Sequence, residues 1–260
     1  MFSFRKRGIV NNYRAQITIF IIMGILLVLG IILYFSLKGS FSSSSSKAET
    51  IEGYMGDCVE RAIKDAIFFN GLQGGYFVSP DDSVAFDVLQ IPIYWDNTKA
   101  KESVPSIATL EDQLGLGIGI SLADCVGDLQ QFKDKGYEVK IQEFDSADVT
   151  ISEKSVSADV VMPIYLTKDG KTTKYQDFSG SVTFDLMKKY RIVQQAIALQ
   201  KGVPNDIPLS RYGELAYTEG FSYETIEMPG NIIVYSFSFD NDVIPEAKYI
   251  YTFAGRYNWR

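Results

Sequence analysis

The groups that could carry out acid–base chemistry in this sequence are carboxylates, because the chain contains no histidine. That absence excludes Ser-His-Asp triads, Cys-His pairs and metal sites that need imidazole. The neighbouring acids are Asp81-Asp82, Glu111-Asp112 and Asp240-Asn241-Asp242. Adjacent residues on a strand point to opposite faces, so adjacency alone does not make a catalytic pair. We predict no catalytic residues, cofactor or metal; a hydrolase using only carboxylates, as in glycoside hydrolysis, is the enzymatic alternative.

Cysteine chemistry is limited to two residues, Cys58 and Cys125. In an exported domain, two cysteines favour one disulfide. It would close a loop of about 67 residues and stabilise the fold by about 4 kcal/mol. The alternative is two buried free thiols, since two ligands without histidine argue against a metal site.

The overall composition is that of a folded, acidic protein. The chain has 260 residues, of which 46% are apolar and 22% charged, and its formal net charge is −7. This balance excludes a wholly disordered or collagen-like chain. It also argues against a nucleic-acid partner, which would need a basic face.

The charges divide the chain into a basic start and an acidic remainder. Residues 1–38 contain no acid, and their basic residues are Arg5, Lys6, Arg7, Arg14 and Lys38. Without these five, 20 basic residues remain against 32 acids, so residues 39–260 carry about −12. We therefore expect the two parts to lie in different environments.

An uncharged segment separates those two parts. From Ile17 through Phe20 and Leu27 to Leu37, 21 residues carry no charge. As a helix they would reach about 31 Å, the thickness of a bilayer's hydrocarbon core. We predict a transmembrane helix over residues 16–38. The basic residues before it predict a cytoplasmic N-terminus and an extracellular location for residues 39–260.

The junction before this segment resembles a known processing signal. The stretch Arg14-Ala15-Gln16-Ile17-Thr18-Ile19-Phe20 resembles the class III, type IV pilin-like signal of archaeal surface proteins. The resemblance implies that a prepilin peptidase cuts between Ala15 and Gln16, which removes residues 1–15 as a cytoplasmic leader. Many such proteins carry glutamate five residues into the mature chain, where it meets a neighbour's amine; Phe20 stands there in this sequence.

We predict an α+β fold for the extracellular part, which follows a serine-rich linker over residues 39–46. Residues 47–136 are predicted to be helical, with disulfide-linked helices over 47–72 and 106–135. Residues 137–260 are predicted to form an antiparallel sheet with one or two further helices. The predicted elements are strands over 137–144 and 148–152, a hairpin over 158–167 and 172–184, helices over 186–200 and 209–218, and two last strands through Tyr235 and Tyr251.

The predicted extracellular part contains a cysteine helix ending in Gly-Leu-Gln-Gly-Gly-Tyr, a second one ending in Lys-Gly-Tyr-Glu-Val, and a hairpin that feeds a helix. In these features it resembles single-pass surface proteins of DPANN archaea. The sequence thus predicts a non-enzymatic, pilin-like surface protein. Its predicted partners are the lipid bilayer, a prepilin peptidase and further copies of itself in an oligomer or filament. The alternative is an anchored ligand-binding or sensing module that does not polymerise.

Overall fold

A long helix near the start of the described chain packs against a second helix and both β-sheets of the fold. The computed structural model describes residues 50–127, 129–240 and 247–259. The predicted leader over 1–15, the span over 16–38 and the linker over 39–46 lie outside these residues. Within the described ranges, no helix is long and apolar enough to cross a membrane.

The described chain has five helices and ten strands. The helices are α1 (Ile51–Leu72), α2 (Ile107–Val126), α3 (Gln130–Lys133), α4 (Leu186–Gly202) and α5 (Leu209–Glu219). The strands of the first half are β1 (Ser83–Phe86), β2 (Leu89–Asp96), β3 (Lys101–Glu102), β4 (Glu138–Ile141) and β5 (Ser146–Ile151). Those of the second half are β6 (Ser155–Lys168), β7 (Lys171–Thr183), β8 (Phe221–Met228), β9 (Ile232–Phe239) and β10 (Tyr249–Arg256). The predicted α+β class is confirmed.

Helix α1 forms the centre of the core because its apolar residues recur every four positions. Met55, Val59 and Ile63 are each fully buried. The hydroxyl of Thr50 caps the helix by accepting a hydrogen bond from Gly53 N, 3.2 Å away. Beyond the C-terminus, the backbone turns through two glycines with positive φ, at positions 74 and 75. The start of this helix at Ile51 is four residues later than predicted.

Helix α2 crosses α1 closely, and it is shorter than predicted. Its N-terminus is capped by Ser106, which accepts a hydrogen bond from Thr109 N at 3.0 Å. A Cβ at Gly117 would stand 3.1 Å from the Cβ of Ala66, so the absent side chain lets the two helices approach. The prediction that this helix runs to residue 135 is wrong. It ends at Val126, because Gly127 and Leu129 both have positive φ, and the short α3 follows.

Four strands make up one sheet, here called the hairpin sheet. Strands β6 and β7 pair along their length, as the predicted hairpin requires, and are joined at Asp169 and Gly170, whose φ values of 53° and 74° fit a type I′ turn. Strands β4 and β5 pair with successive parts of β6 on its other side. Strand β7 packs against α1, and β5 packs against α2.

The other sheet mixes parallel and antiparallel pairs and is here called the mixed sheet. Its strand order is β1-β2-β10-β9-β8, with β3 paired to β2. Strand β10 runs parallel to β2 and antiparallel to β9. The prediction of a single antiparallel sheet is therefore wrong. The reason is that strands β1–β3, which belong to this sheet, lie within residues 47–136, where only helices were predicted.

The two predicted last strands are confirmed as β9 and β10, and their aromatic side chains share one face. Tyr235, Phe237 and Phe239 lie opposite Phe253, Tyr251 and Tyr249 in the antiparallel pairing of β9 with β10. All six side chains are buried. Because period-two spacing places them on one face, they form a continuous aromatic layer against the helices.

Residues Ala48–Arg260 form one compact unit. Its main core contains buried side chains that run from Ile51 on α1 to Tyr257 after β10, and it includes residues of both sheets. The helical and sheet-forming parts predicted from the sequence therefore share a core. A stretch with its own core of this extent has the packing of a domain that folds by itself.

Candidate functional site

The two cysteines form a disulfide between the two longest helices of the described chain. Cys58 on α1 and Cys125 on α2 are bonded, and their Cα atoms are 5.6 Å apart. Cys58 is buried and Cys125 is half-buried. The hydroxyl of Tyr54, one helical turn before Cys58, donates to the carbonyl oxygen of Cys125 at 2.9 Å. The predicted disulfide is confirmed, and the alternative of free thiols is not.

A charged cluster joins the ends of the parallel strands β2 and β10. Arg256 Nη1 lies 2.7 Å from Asp96 Oδ2 and 3.2 Å from Asp82 Oδ1. Lys99 Nζ lies 3.4 Å from the Asp96 carboxylate and 3.8 Å from that of Asp82. Two carboxylates therefore share two cations. Adjacency in the sequence did not indicate this pair, because Asp82 directly precedes β1 whereas Asp96 is the last residue of β2.

The Asp96 carboxylate is held in its ionised form. Burial by itself would raise its pKa, but hydrogen bonds from Thr98 and Arg256 outweigh burial and lower the pKa to about 2. Thr98 donates from both its N–H and its hydroxyl to Asp96 Oδ1. A general acid must be protonated at the working pH, so Asp96 is unsuited to that role in glycoside hydrolysis.

The other neighbouring acids have separate surroundings. Glu111 Oε1 accepts a hydrogen bond from Ile151 N at 2.9 Å, which ties α2 to β5, whereas Asp112 is exposed. Asp81 is also exposed. Asp240 pairs with Lys248, whose hydrogen bond lowers the pKa of the Asp240 carboxyl. Asn241 and Asp242 lie outside the described residues. Among the described residues, Asp82 and Glu111 thus bond to other parts of the fold, whereas their sequence neighbours Asp81 and Asp112 are exposed.

No group of three or more histidine, cysteine or acidic side chains is placed to hold a metal ion within residues 50–127, 129–240 and 247–259. The expectation that the protein needs no metal remains a prediction. The Asp82–Asp96 pair is compensated by Arg256 and Lys99, which lowers the attraction that the site would exert on a further cation.

Buried tyrosine hydroxyls form a second polar feature that sequence reasoning did not identify. Tyr94 donates to the carbonyl oxygen of Gly74 at 2.6 Å, and its oxygen lies 2.7 Å from the Tyr251 hydroxyl. Tyr190 donates to the carbonyl of Pro105. Burial raises the pKa of Tyr190 to about 12. These hydrogen bonds hold the chain connections around the aromatic layer in place, so we assign a stabilising role to them.

Another group of tyrosines meets at Gln200 of α4. Tyr257 and Tyr212 donate to Gln200 Oε1, at 2.7 Å and 3.3 Å. The Tyr235 hydroxyl bonds to that of Tyr257. Gln200 Nε2 in turn donates to the carbonyl oxygens of Val203 and Asp206. Each of these polar side chains makes hydrogen bonds within the protein, so we assign a stabilising role to this group as well.

The predicted sites of processing, membrane insertion and topology lie outside the described residues. They are the junction Ala15–Gln16, the span residues Ile17, Phe20, Leu27 and Leu37, and the basic residues Arg5, Lys6, Arg7 and Arg14. No protein-family model, curated protein or solved structure matches the chain. The function must therefore be argued from the chemistry of the residues themselves.

Proposed function

We propose that the protein is a non-enzymatic, pilin-like structural protein of the cell surface, held in the membrane by residues 16–38. The observation that carries the proposal is the disulfide between Cys58 and Cys125. Such bonds persist in oxidising surroundings outside the cytosol and are rare in mesophilic cytosolic proteins. An exported domain that follows an uncharged 21-residue segment is most simply delivered and retained by that segment.

The distribution of charge supports an exterior body. The N-terminal residues carry the cluster Arg5, Lys6, Arg7 and Arg14, whereas Lys38 alone follows the apolar segment. Positive residues remain on the cytoplasmic side of a membrane span. The acidic body then lies outside, where its net negative charge favours solubility.

The polar groups of the body support a structural rather than an enzymatic role. The carboxylates of Asp82 and Asp96 lie near each other, but Arg256 and Lys99 neutralise their charge. An enzyme that uses two carboxylates needs one of them protonated near neutral pH, which calls for a raised pKa. The pKa of Asp96 is lowered instead. These groups therefore suit the stabilisation of a fold better than catalysis.

Sequencing of the mature N-terminus tests the proposal most directly. The full chain is expressed in one cell that contains a prepilin peptidase and in one that lacks it. We expect a mature N-terminus at Gln16 only in the first cell, retention in the membrane after alkaline carbonate washing in both, and labelling of the exposed Lys154 in intact cells.

The outcomes of that experiment, together with the thiol state of the isolated protein, count against separate parts of the proposal. An intact Met1 in both cells would reject processing and with it the pilin-like version. Release by carbonate would reject the membrane anchor. Reduced Cys58 and Cys125 in freshly isolated protein, or no labelling of Lys154 until the cells are opened, would reject the exterior location.

Phe20 favours a second candidate function, an anchored ligand-binding or sensing module that does not polymerise. An apolar side chain at this position supplies no carboxylate for the N-terminal amine of a neighbouring subunit. Electron microscopy of the cell surface distinguishes the two functions. Filaments containing the protein support the structural role. Isolated protein that stays monomeric in detergent at all concentrations supports the module.

A further inference from the structure

A cavity of about 510 Å³ opens where the described chain begins. Three parts of the fold meet there: the N-terminus of α1, the connection from α3 to β4, and the turn between β6 and β7. The side chains that give it its chemical character are the lysines Lys135, Lys168 and Lys171 and the aromatic residues Phe132, Tyr137 and Tyr175. The cavity thus combines positive charge with an aromatic wall.

Among the described residues, the ammonium groups of these three lysines have no ion-pair partner. In the part of the chain that the structure describes, no carboxylate oxygen lies within 4.0 Å of any of their ammonium groups. Lys168 Nζ instead donates to the carbonyl oxygen of Lys135 at 2.9 Å and lies 4.9 Å from the centre of the Tyr137 ring. Lys135 Nζ lies 5.5 Å from the centre of the Phe132 ring. The ammonium groups of Lys135 and Lys168 are held by these contacts but retain unused hydrogen-bond donors.

The lining has an excess of positive charge in an otherwise acidic body. Glu52 and Asp169 also line the cavity, so three cations stand against two anions. Three further cavities of the body have linings in which acids outnumber bases. Lys135, Lys168 and Lys171 are all exposed to solvent. An anion that approaches the body is therefore attracted to this end in preference to those cavities.

The cavity lies at the end of the body where the chain enters from the predicted membrane segment. Thr50 and Ile51 line it, so the chain enters the described body at its rim. Only 12 residues separate Leu37 from Thr50. A chain of that length spans no more than about 43 Å even when fully extended. If residues 16–38 anchor the protein, as proposed above, this end of the body must stay close to the membrane surface.

We propose that this cavity binds the phosphate headgroup of an anionic membrane phospholipid. Lysine ammonium groups bind phosphate as point charges, and basic residues near a membrane are attracted to anionic lipids. Tyr137 and Tyr175 are amphipathic and suit the region between headgroups and water. Binding at this site orients the extracellular body with the N-terminus of α1 toward the bilayer. The proposal rests on the membrane anchoring put forward under the proposed function.

Flotation with vesicles tests the proposal on residues 48–260, the compact unit without the apolar segment. Two vesicle types are compared, pure phosphatidylcholine and phosphatidylcholine mixed with phosphatidylglycerol. We expect the body to float with the mixed vesicles and not with the neutral ones. The triple variant K135A/K168A/K171A should bind the mixed vesicles at least about tenfold more weakly.

A matched triple variant shows whether the cavity itself is responsible. K101A/K140A/K154A removes the same charge from exposed lysines that do not line the cavity. It should float like the unaltered body, and circular dichroism should show both variants folded. Equal losses in the two variants, or no flotation of the unaltered body with either vesicle, would overturn the proposal.

The source of the phosphate and the anchor are tested separately. Binding of inorganic phosphate by the body, measured by calorimetry, without flotation would assign the cavity to a soluble phosphate and overturn the lipid proposal. The full chain is fractionated in parallel. Its release by carbonate would reject the anchor, whereas its retention in the membrane together with a body that fails to float would reject only the headgroup site.

Discussion

Arg256 donates a hydrogen bond to the carboxylate of Asp96 across 2.7 Å, and it thereby joins the ends of two parallel strands that lie 160 residues apart in sequence. The Asp96 side chain is only 2% exposed. A buried carboxylate is costly unless it is paired and hydrogen-bonded, and here Thr98 and Arg256 supply both. The contact therefore fixes the pairing of β2 with β10.

The stability of the body should depend on pH through Asp96. The pKa of this residue is about 2 in the folded protein, below the ordinary value of 3.8. A lowered folded pKa contributes stability that is present above pH 4 and is lost as the pH falls toward 2. We expect a loss of about 2 kcal/mol in the free energy of unfolding from this group, measured by urea unfolding from pH 7 to pH 2.

Two variants identify the residue responsible for that acid dependence. D96N should be less stable than the unaltered body at pH 7 and should lose less stability on acidification. D112N, which alters an exposed carboxyl of α2, should keep the full acid dependence. Equal acid dependence in D96N and the unaltered body would contradict the role of Asp96.

Gly71 is required by the close approach of α1 to β10. A Cβ there would stand 2.6 Å from the carbonyl oxygen of Ile250 and 2.7 Å from the Tyr249 ring. We expect G71A to lower the free energy of unfolding by about 1–3 kcal/mol, since one contact is with backbone that cannot turn aside. Thermal or urea unfolding measures the change.

Gly213 provides the matched control for that substitution. It also lies within a helix, α5, but nothing stands within 4 Å of a Cβ built on it. G213A should therefore raise the free energy of unfolding by up to about 1 kcal/mol, because alanine is the better helix former. Destabilisation of similar size in both variants would show that the effect of G71A does not come from crowding.

The local periodicity of the sequence predicted most elements, but it could not predict how distant strands pair. The hairpin of β6 and β7 carries both alternation and an Asp-Gly turn, so its turn and pairing follow from neighbouring residues. Strand β2 was missed because Pro92 interrupts it, and proline usually marks the edge of a sheet. The strand tolerates Pro92 because pairing with β10 begins at Ile93.

The polar sites were also harder to predict, because most of them form only when distant strands pair. Cys58 and Cys125 could be paired because the sequence contains no other cysteine. Asp82, Asp96 and Arg256 come together only after β10 has paired in parallel with β2. Carboxylates are numerous in this chain, and no local spacing distinguishes these two from the rest. Residues of a type that occurs only twice could be paired from the sequence, whereas two members of a large class could not.

Seven tyrosines of the body should resist ionisation until the protein unfolds. They are the fully buried residues Tyr94, Tyr190, Tyr212, Tyr235, Tyr249, Tyr251 and Tyr257. Burial raises their pKa values, to about 12 for Tyr257. A raised folded pKa contributes stability that is present below pH 10 and is lost as the pH rises through the folded value. In an alkaline titration, phenolate absorbance should therefore rise in two stages, the second coinciding with loss of the folded circular dichroism.

One tyrosine variant assigns the second stage. Y257F should reduce the second stage and should also lower the stability of the body, because it removes the hydrogen bond to Gln200. The same titration in a high concentration of urea should give one stage near pH 10. A single stage in the native protein would contradict the burial of these hydroxyls.

The disulfide should stabilise the body by cross-linking α1 to α2. Cys58 and Cys125 are separated by 67 residues in sequence, and closing a loop of that length restricts the unfolded chain. The chain-entropy treatment gives about 4 kcal/mol for this restriction. We expect C58A/C125A to lower the free energy of unfolding by that amount, as measured by urea unfolding.

The unaltered body in excess dithiothreitol should unfold at a urea concentration close to that of the variant, and adding the reductant to the variant should change nothing. Identical unfolding of the unaltered body with and without reductant, together with alkylation of both thiols before reduction, would contradict the bond between α1 and α2.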